Sequence, residues 1–170
     1  MNSDLYVAAL QFAATKHEGQ RVTGSGLPYL VHVCSVASEI LAVGGSDLAI
    51  QCALLHDTVE DTATTLEEIR AAFGPDVAAG VAALTKSEAV PKPDRMADSL
   101  ARIKQQPRDI WMVKLADRIT NLAPPPAQWT LAKRREYQAE AVVIADTLAG
   151  ADPALDARIR ARIAAYSSYV

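Results

Sequence analysis

Apolar residues recur at three- and four-residue intervals along almost the whole chain of 170 residues, and strict apolar–polar alternation is scarce. That period belongs to helices with one buried stripe, so the expected fold class is all-α, a bundle of eight to nine helices. Glycines and prolines divide the pattern. "SDLYVAALQFAATKH" reads as a first helix with Leu5, Ala8, Ala9 and Phe12 on one face, before the polar loop "GQRVTGSGLP". "YLVHVCSVASEILAV" is a second helix, stopped by Gly44-Gly45, and "SDLAIQCALLHDTVED" a third. Thr65 with Glu68 three residues on is a capping box opening "LEEIRAAF". Gly74-Pro75 separates that helix from "DVAAGVAALTK". After the loop "SEAVPKPDR" come "MADSLARIKQQ" and a helix opened by Pro107. Three prolines at 124–126 break the chain before "LAKRREYQAEAVVIADTLAG", and Asp152-Pro153 starts the last helix. The segment beyond the prolines is too short for a core of its own, so residues 1–170 are expected to form one domain.

A net charge of −3 gives no strong field toward nucleic acid or an anionic membrane, and neither is expected as a partner. No stretch of eighteen apolar residues is present, and the N-terminus lacks the basic start and cleavage signal of a secretory peptide. Cys34 and Cys52 form no CxxC pair and no disulfide framework, and each sits in an apolar helical pattern as small core filler. A reducing cytoplasm fits these features.

The third helix ends in "ALLHDTVEDT", where His56, Asp57, Glu60 and Asp61 follow an apolar run directly. Read as one continuous helix, His56 lies one turn from Glu60 and Asp57 one turn from Asp61, in two adjacent columns that begin near the core. One reading is a solvated helix end with salt bridges. Against it, no lysine or arginine occurs between Arg21 and Arg70. Far along the chain, Asp117 interrupts the apolar stripe of "DIWMVKLADRITNL", with Lys114 and Arg118 on a neighbouring face; a buried ion pair with an arginine elsewhere is the alternative there. His32 lies within the apolar "YLVHVCSVA" and is open to reading as a hydrogen-bonded core residue, as is His17. Taken together, His32, His56, Asp57 and Asp117 offer two imidazoles and two carboxylates. Such a set suits manganese, iron or zinc better than calcium, which prefers oxygen alone. A metal acidifies the water it holds, and Glu60 and Asp61 remain to hold a proton and return it to a leaving oxygen.

With these segments in hand, the chain resembles the RelA/SpoT-type hydrolases of the HD superfamily. "HDTVED" is similar to their HDxxED motif, "AATKHEGQR" and "PYLVH" resemble their N-terminal segment, and "VKLADRITNL" resembles their last ligand segment. The size and the loop between Arg21 and His32 look most like the stand-alone small alarmone hydrolases, the Mesh-like group. The resemblance runs from about residue 5 to 165 in the same order. It implies that His32, His56, Asp57 and Asp117 hold one metal ion, usually manganese. It implies that Glu60 and Asp61 position and activate the attacking water, that Arg21 lies against the base or its ribose phosphate, and that Asn121 contacts the nucleotide. The implied reaction removes the 3′-pyrophosphate of guanosine tetra- or pentaphosphate. A diphosphate in reaction needs cations around it, and Lys86, Lys92 and Arg95 lie in or beside the loop after "AALTK"; for Lys92 and Arg95 the alternative is solvated surface charge. Val22, Val33 and Ala123 depart from the residues usual in that family, and none belongs to the metal set. Two other functions stay open: a phosphatase acting on another 2′- or 3′-phosphorylated nucleotide such as NADPH, and a silent nucleotide-binding HD module. The presence of both Glu60 and Asp61 speaks against the silent module.

Overall fold

The structure, a computed structural model, describes all of residues 1–170. It contains ten α-helical segments and no strand beyond a lone bridge between Arg21 and Pro28. They are α1 (Ser3–Lys16), α2 (Leu30–Ala42), α3 (Asp47–Leu55), α4 (Thr58–Asp61), α5 (Leu66–Phe73), α6 (Pro75–Leu84), α7 (Arg95–Lys104), α8 (Arg108–Asn121), α9 (Leu131–Thr147) and α10 (Pro153–Tyr166). Nine exceed a single turn, and α4 is the tenth.

Two helices form the axis of the bundle. In α3 every residue from Ala49 to Leu55 is buried, and α8 buries Ile110, Val113, Leu115, Ala116 and Ile119. Around this pair, α1 and α2 pack against α3, α2 and α10 against α8, and α6 against both α3 and α7. A helix apolar all round belongs in a core. Gly80 lets α6 approach α3 and α8 closely: a Cβ there would meet Ile110 Cδ1 at 2.6 Å and Cys52 Sγ at 2.7 Å. Both cysteines are free; Cys52 is fully buried, and its thiol is pushed up to about 12, by burial first and then by the charge of Asp109.

The helix ends carry their local chemistry. Asn2, Ser46, Thr65, Thr130 and Asp152 each cap a helix with a side-chain oxygen, and Thr65 with Glu68 makes a full capping box. Between α1 and α2 the chain doubles back, with Val22 N donating to Leu27 O (2.8 Å) and Tyr29 N to Gln20 O (3.0 Å). Gly26 takes φ +69° at the tip of that turn, a conformation glycine adopts without steric cost.

Two expectations need correction. The third helix is not continuous through Asp61. It ends at Leu55, and a new turn begins at Thr58. Side chains compete with backbone amides for the carbonyls at the break: the His56 ring takes Ala53 O at 2.8 Å, and the Thr58 hydroxyl takes Leu55 O at 2.7 Å. The face assigned to α1 is also rotated. Ala9 and Ala13 are buried, with Tyr6, Leu10 and Phe12 against the core, while Leu5 is 39% and Val7 45% exposed. An alanine-rich helix gives little contrast between its faces, so sequence alone fixes its orientation poorly.

Candidate metal centre

The break between α3 and α4 sets His56 and Asp57 at the inner end of a cleft that α2 and α8 complete. His32 comes from the first turn of α2, and Asp117 from the penultimate turn of α8. His56 Nε2 lies 2.9 Å from Asp57 Oδ2 and 3.7 Å from Asp117 Oδ1. His32 Nε2 lies 3.4 Å from Asp57 Oδ2 and 3.5 Å from Asp117 Oδ1. Ligand atoms about 2.1 Å from one ion and at right angles to each other stand roughly 3 Å apart, close to this spacing.

The protonation of the ligands agrees. Ala53 O can only accept, so His56 Nδ1 carries a proton and Nε2 is the atom left to meet the carboxylates, through a second proton or through a bound cation. That Nε2 is buried and lies 2.9 Å from Asp57 Oδ2. A buried ring nitrogen beside two carboxylates fits a cation, and His32, His56 and Asp57 offer ligating atoms that all lie within 4.8 Å of one another. Burial alone would lower the His56 pKa, but the charge of Asp57 and hydrogen bonds with Asp117 and Asp57 raise it well above the usual histidine value. Asp57 and Asp117 are held well below the carboxylate range despite burial, Asp57 chiefly by His56 and Asp117 chiefly by Lys114.

Charge balance also points to a divalent ion. The cleft around His56, about 220 Å³, is lined by five carboxylates (Asp57, Glu60, Asp61, Asp117, Glu140) and three cations (Lys86, Lys114, Arg118), a formal charge of −2 when His56 is neutral, as a metal ligand must be. A divalent cation held by neutral His56 cancels that charge, and a proton on His56 offsets part of it when no ion is bound.

Each remaining site residue has a definite place. Glu60 is gripped by Lys86, whose Nζ donates to Oε1 (2.8 Å) and whose backbone N–H donates to Oε2 (3.0 Å). Burial would lower the Lys86 pKa, but its bond to Glu60 and the charges of Glu60, Asp117 and Asp57 raise it. Lys86 thus neutralises a carboxylate instead of standing free for phosphate. Asp61 accepts from Gln20 Nε2 at 3.0 Å. Asn121 Nδ2 donates to Asp117 Oδ1 at 2.5 Å, so it supports a ligand as well as facing the cleft. The Arg21 guanidinium donates to Gly26 O (3.2 Å) within its own loop and lines neither part of the cleft. Arg95 likewise ties down its own loop, through Val90 O and Glu88 O.

Lys114 corrects the sequence reading. Its Nζ sits 3.0 Å from Asp117 Oδ2, so the partner of the buried Asp is the lysine one turn before it and not a distant arginine. The i,i+3 spacing carried that signal. Arg118 pairs instead with Glu140 and lies 4.4 Å from the Tyr137 ring. Tyr29 is a functional residue that the sequence reading passed over: its hydroxyl donates to Asp57 Oδ2 at 2.6 Å. Burial and the charge of Asp57 push its pKa up, so it remains a neutral donor. Its place three residues before His32, on the same side of the start of α2, was the available clue.

A second lobe of about 420 Å³ adjoins the first and shares Tyr29, Asn121 and Tyr137 with it. Its wall includes Trp129, Tyr166, Leu27 and the prolines 124–126, and contains no lysine, arginine, aspartate or glutamate. A flat apolar group suits such a wall, while the charged lobe suits an anion held with a metal.

The chain matches the HD domain family over residues 9–155. It is 36% identical over 159 residues to guanosine-3′,5′-bis(diphosphate) 3′-pyrophosphohydrolase MESH1 of Danio rerio, covering 89% of this chain and 88% of that protein. The Homo sapiens MESH1 protein is 34% identical over 159 residues, with 89% of each covered. A solved structure of a metazoan ortholog of SpoT, described as hydrolysing ppGpp with a role in starvation responses, superposes with a TM-score of 0.87 at 30% identity over 97% of both chains. The HD match over most of the length, the relatives and the convergence of His32, His56, Asp57 and Asp117 agree: the chain belongs to the HD-domain family, in the RelA/SpoT-type branch that includes the MESH1 proteins.

Proposed function

We propose that this chain is a metal-dependent hydrolase that removes the 3′-diphosphate of guanosine 3′,5′-bis(diphosphate) (ppGpp), or of the pentaphosphate, giving GDP or GTP and pyrophosphate. Residues 1–170 act as one domain, the ion is manganese, and the setting is the cytoplasm. The observation that carries this reading is the buried His56 Nε2 facing Asp57 and Asp117, with its Nδ1 committed to Ala53 O and His32 Nε2 beside the same two carboxylates. The names of the MESH1 relatives supply the substrate class. No helix is long and apolar enough to cross a membrane, consistent with a freely diffusing nucleotide substrate.

His32, His56, Asp57 and Asp117 hold the ion, which when bound acidifies water and offsets charge on the diphosphate. Glu60 and Asp61 face the same lobe as carboxylates. They take a proton from the attacking water and return one to the 3′-oxygen as its bond to phosphorus breaks. Lys86 holds Glu60 in place, and Lys114 keeps Asp117 ionised. The aromatic lobe receives the nucleoside and excludes water from it, with Asn121 at the junction; a role for Arg21 on the base or ribose phosphate requires it to leave Gly26 O.

The test is incubation with ppGpp and Mn²⁺, with NADPH as the comparison substrate. GDP and pyrophosphate are the expected products from ppGpp. His56→Ala is expected to lose both the metal and turnover; full turnover by a metal-free variant would remove the ion from the reaction.

A further inference from the structure

Asp61 is held by a path that begins outside the cleft. Its Oδ2 accepts from Gln20 Nε2 at 3.0 Å. A carboxylate at neutral pH only accepts, so this contact fixes which end of the Gln20 amide faces it. The amide oxygen is thereby turned to His17, whose Nδ1 lies 2.6 Å from Oε1. An amide oxygen also only accepts, so Nδ1 must carry the proton. His17 caps the C-terminus of α1, is buried, and its Nε2 has no partner at all. A neutral ring with the proton on Nδ1 leaves a lone pair on that buried atom, less costly than an unpaired N–H. The ring is held against Tyr29, centroids 4.8 Å apart and tilted 32°, and Tyr29 in turn donates to Asp57.

We propose that His17 is a positioning residue: through Gln20 it fixes the Asp61 carboxylate toward the cleft. His17 itself touches neither metal nor substrate. Without its Nδ1–H, the Gln20 amide is free to invert and present an oxygen to Asp61, which repels the carboxylate from its working position. The kinetic consequence rests on the proposed role of Asp61 in proton transfer; the hydrogen-bond path does not.

Two measurements on the full, metal-loaded chain test it. Proton–nitrogen correlation spectra at about pH 8, where an ordinary histidine is neutral, are expected to show His17 protonated on Nδ1. The Nε2-protonated form would overturn the proposal whatever the protein hydrolyses. In steady-state assays with ppGpp, His17→Phe keeps a ring against Tyr29 but lacks the donor. It and Gln20→Leu are each expected to lower kcat about tenfold, less than removal of a whole acid–base group, with KM and metal content unchanged. The double variant is expected to lose no more than Gln20→Leu alone, since both act on one path. Losses that multiply, or a kcat equal to that of the unsubstituted protein, would overturn the proposal. Should His17→Phe fail to fold, Gln20→Leu and the spectrum still decide. A wild-type chain that releases no pyrophosphate defeats the proposed function, while the tautomer still judges the link.

Discussion

At the scale of single residues, the cleft is a set of paired charges with one cation short. Glu60 is fully engaged by Lys86, through both its ammonium and its backbone N–H. Glu60→Gln keeps the shape but removes the charge and the capacity to take a proton. The expected result is a fall in kcat of roughly 10²-fold or more, with the metal retained when content is measured on the purified variant. Asn121 acts differently, because its amide donates to Asp117. Asn121→Ala leaves that ligand less constrained, and metal affinity is expected to fall by about 10–100-fold, read by titration of the apo protein with Mn²⁺. His32, His56, Asp57 and Asp117 were all legible in the sequence, since ionisable groups inside apolar stripes advertise themselves. Their supports were not. Gln20 reads as a loop residue and Tyr29 as the start of a helix, and only the folding back of residues 20–29 brings them to Asp61 and Asp57.

At the scale of elements, a side chain's direction depends on where a helix stops. The apolar run through Leu55 was readable as helix, and so was the capping box at Thr65. The interruption at His56-Asp57 was not, because it arises from side chains taking backbone carbonyls, and periodicity cannot register that. The break has a functional consequence: Glu60 turns to Lys86 and Asp61 to Gln20, where a straight helix would stack them over His56 and Asp57. Close packing fixes α6 in a comparable way. Gly80 faces Ile110 and Cys52, both buried, and a side chain there has no free space. Gly80→Val is expected to destabilise the protein by about 1–3 kcal/mol, seen as a lower urea midpoint with an unchanged slope. A midpoint at or above that of the parent would mean that α6 and α8 separate more easily than the structure indicates.

For the whole molecule, the proposed ion would join parts of the chain that the sequence keeps far apart: α2, the α3–α4 corner and α8. The bundle itself was foreseeable from helical periodicity; the convergence of those three segments is a property of packing, suggested beforehand by the pooled donor types and strengthened by the resemblance. Hydrophobic burial around α3 and α8 holds the helices together, yet it also brings the half-buried Asp57 and the buried Asp117 to one cleft, with Glu60 and Asp61 at its exposed mouth. Without metal, the like charges push against the packing that confines them. A ligand that binds only the folded state at about a thousand times its Kd adds roughly 4 kcal/mol. In a domain of this size each kcal/mol moves Tm by about 2–4 °C. Removing the ion with a chelator is therefore expected to lower Tm by roughly 10 °C, and adding Mn²⁺ back in excess should restore it. The same scan on His56→Ala should show no response to either reagent, because the variant has lost a ligand that no neighbouring group replaces. A wild-type Tm indifferent to chelation would mean that Lys86, Lys114 and protonated histidine already balance the cleft. The four converging side chains would then form a salt-bridge cluster and not a metal site.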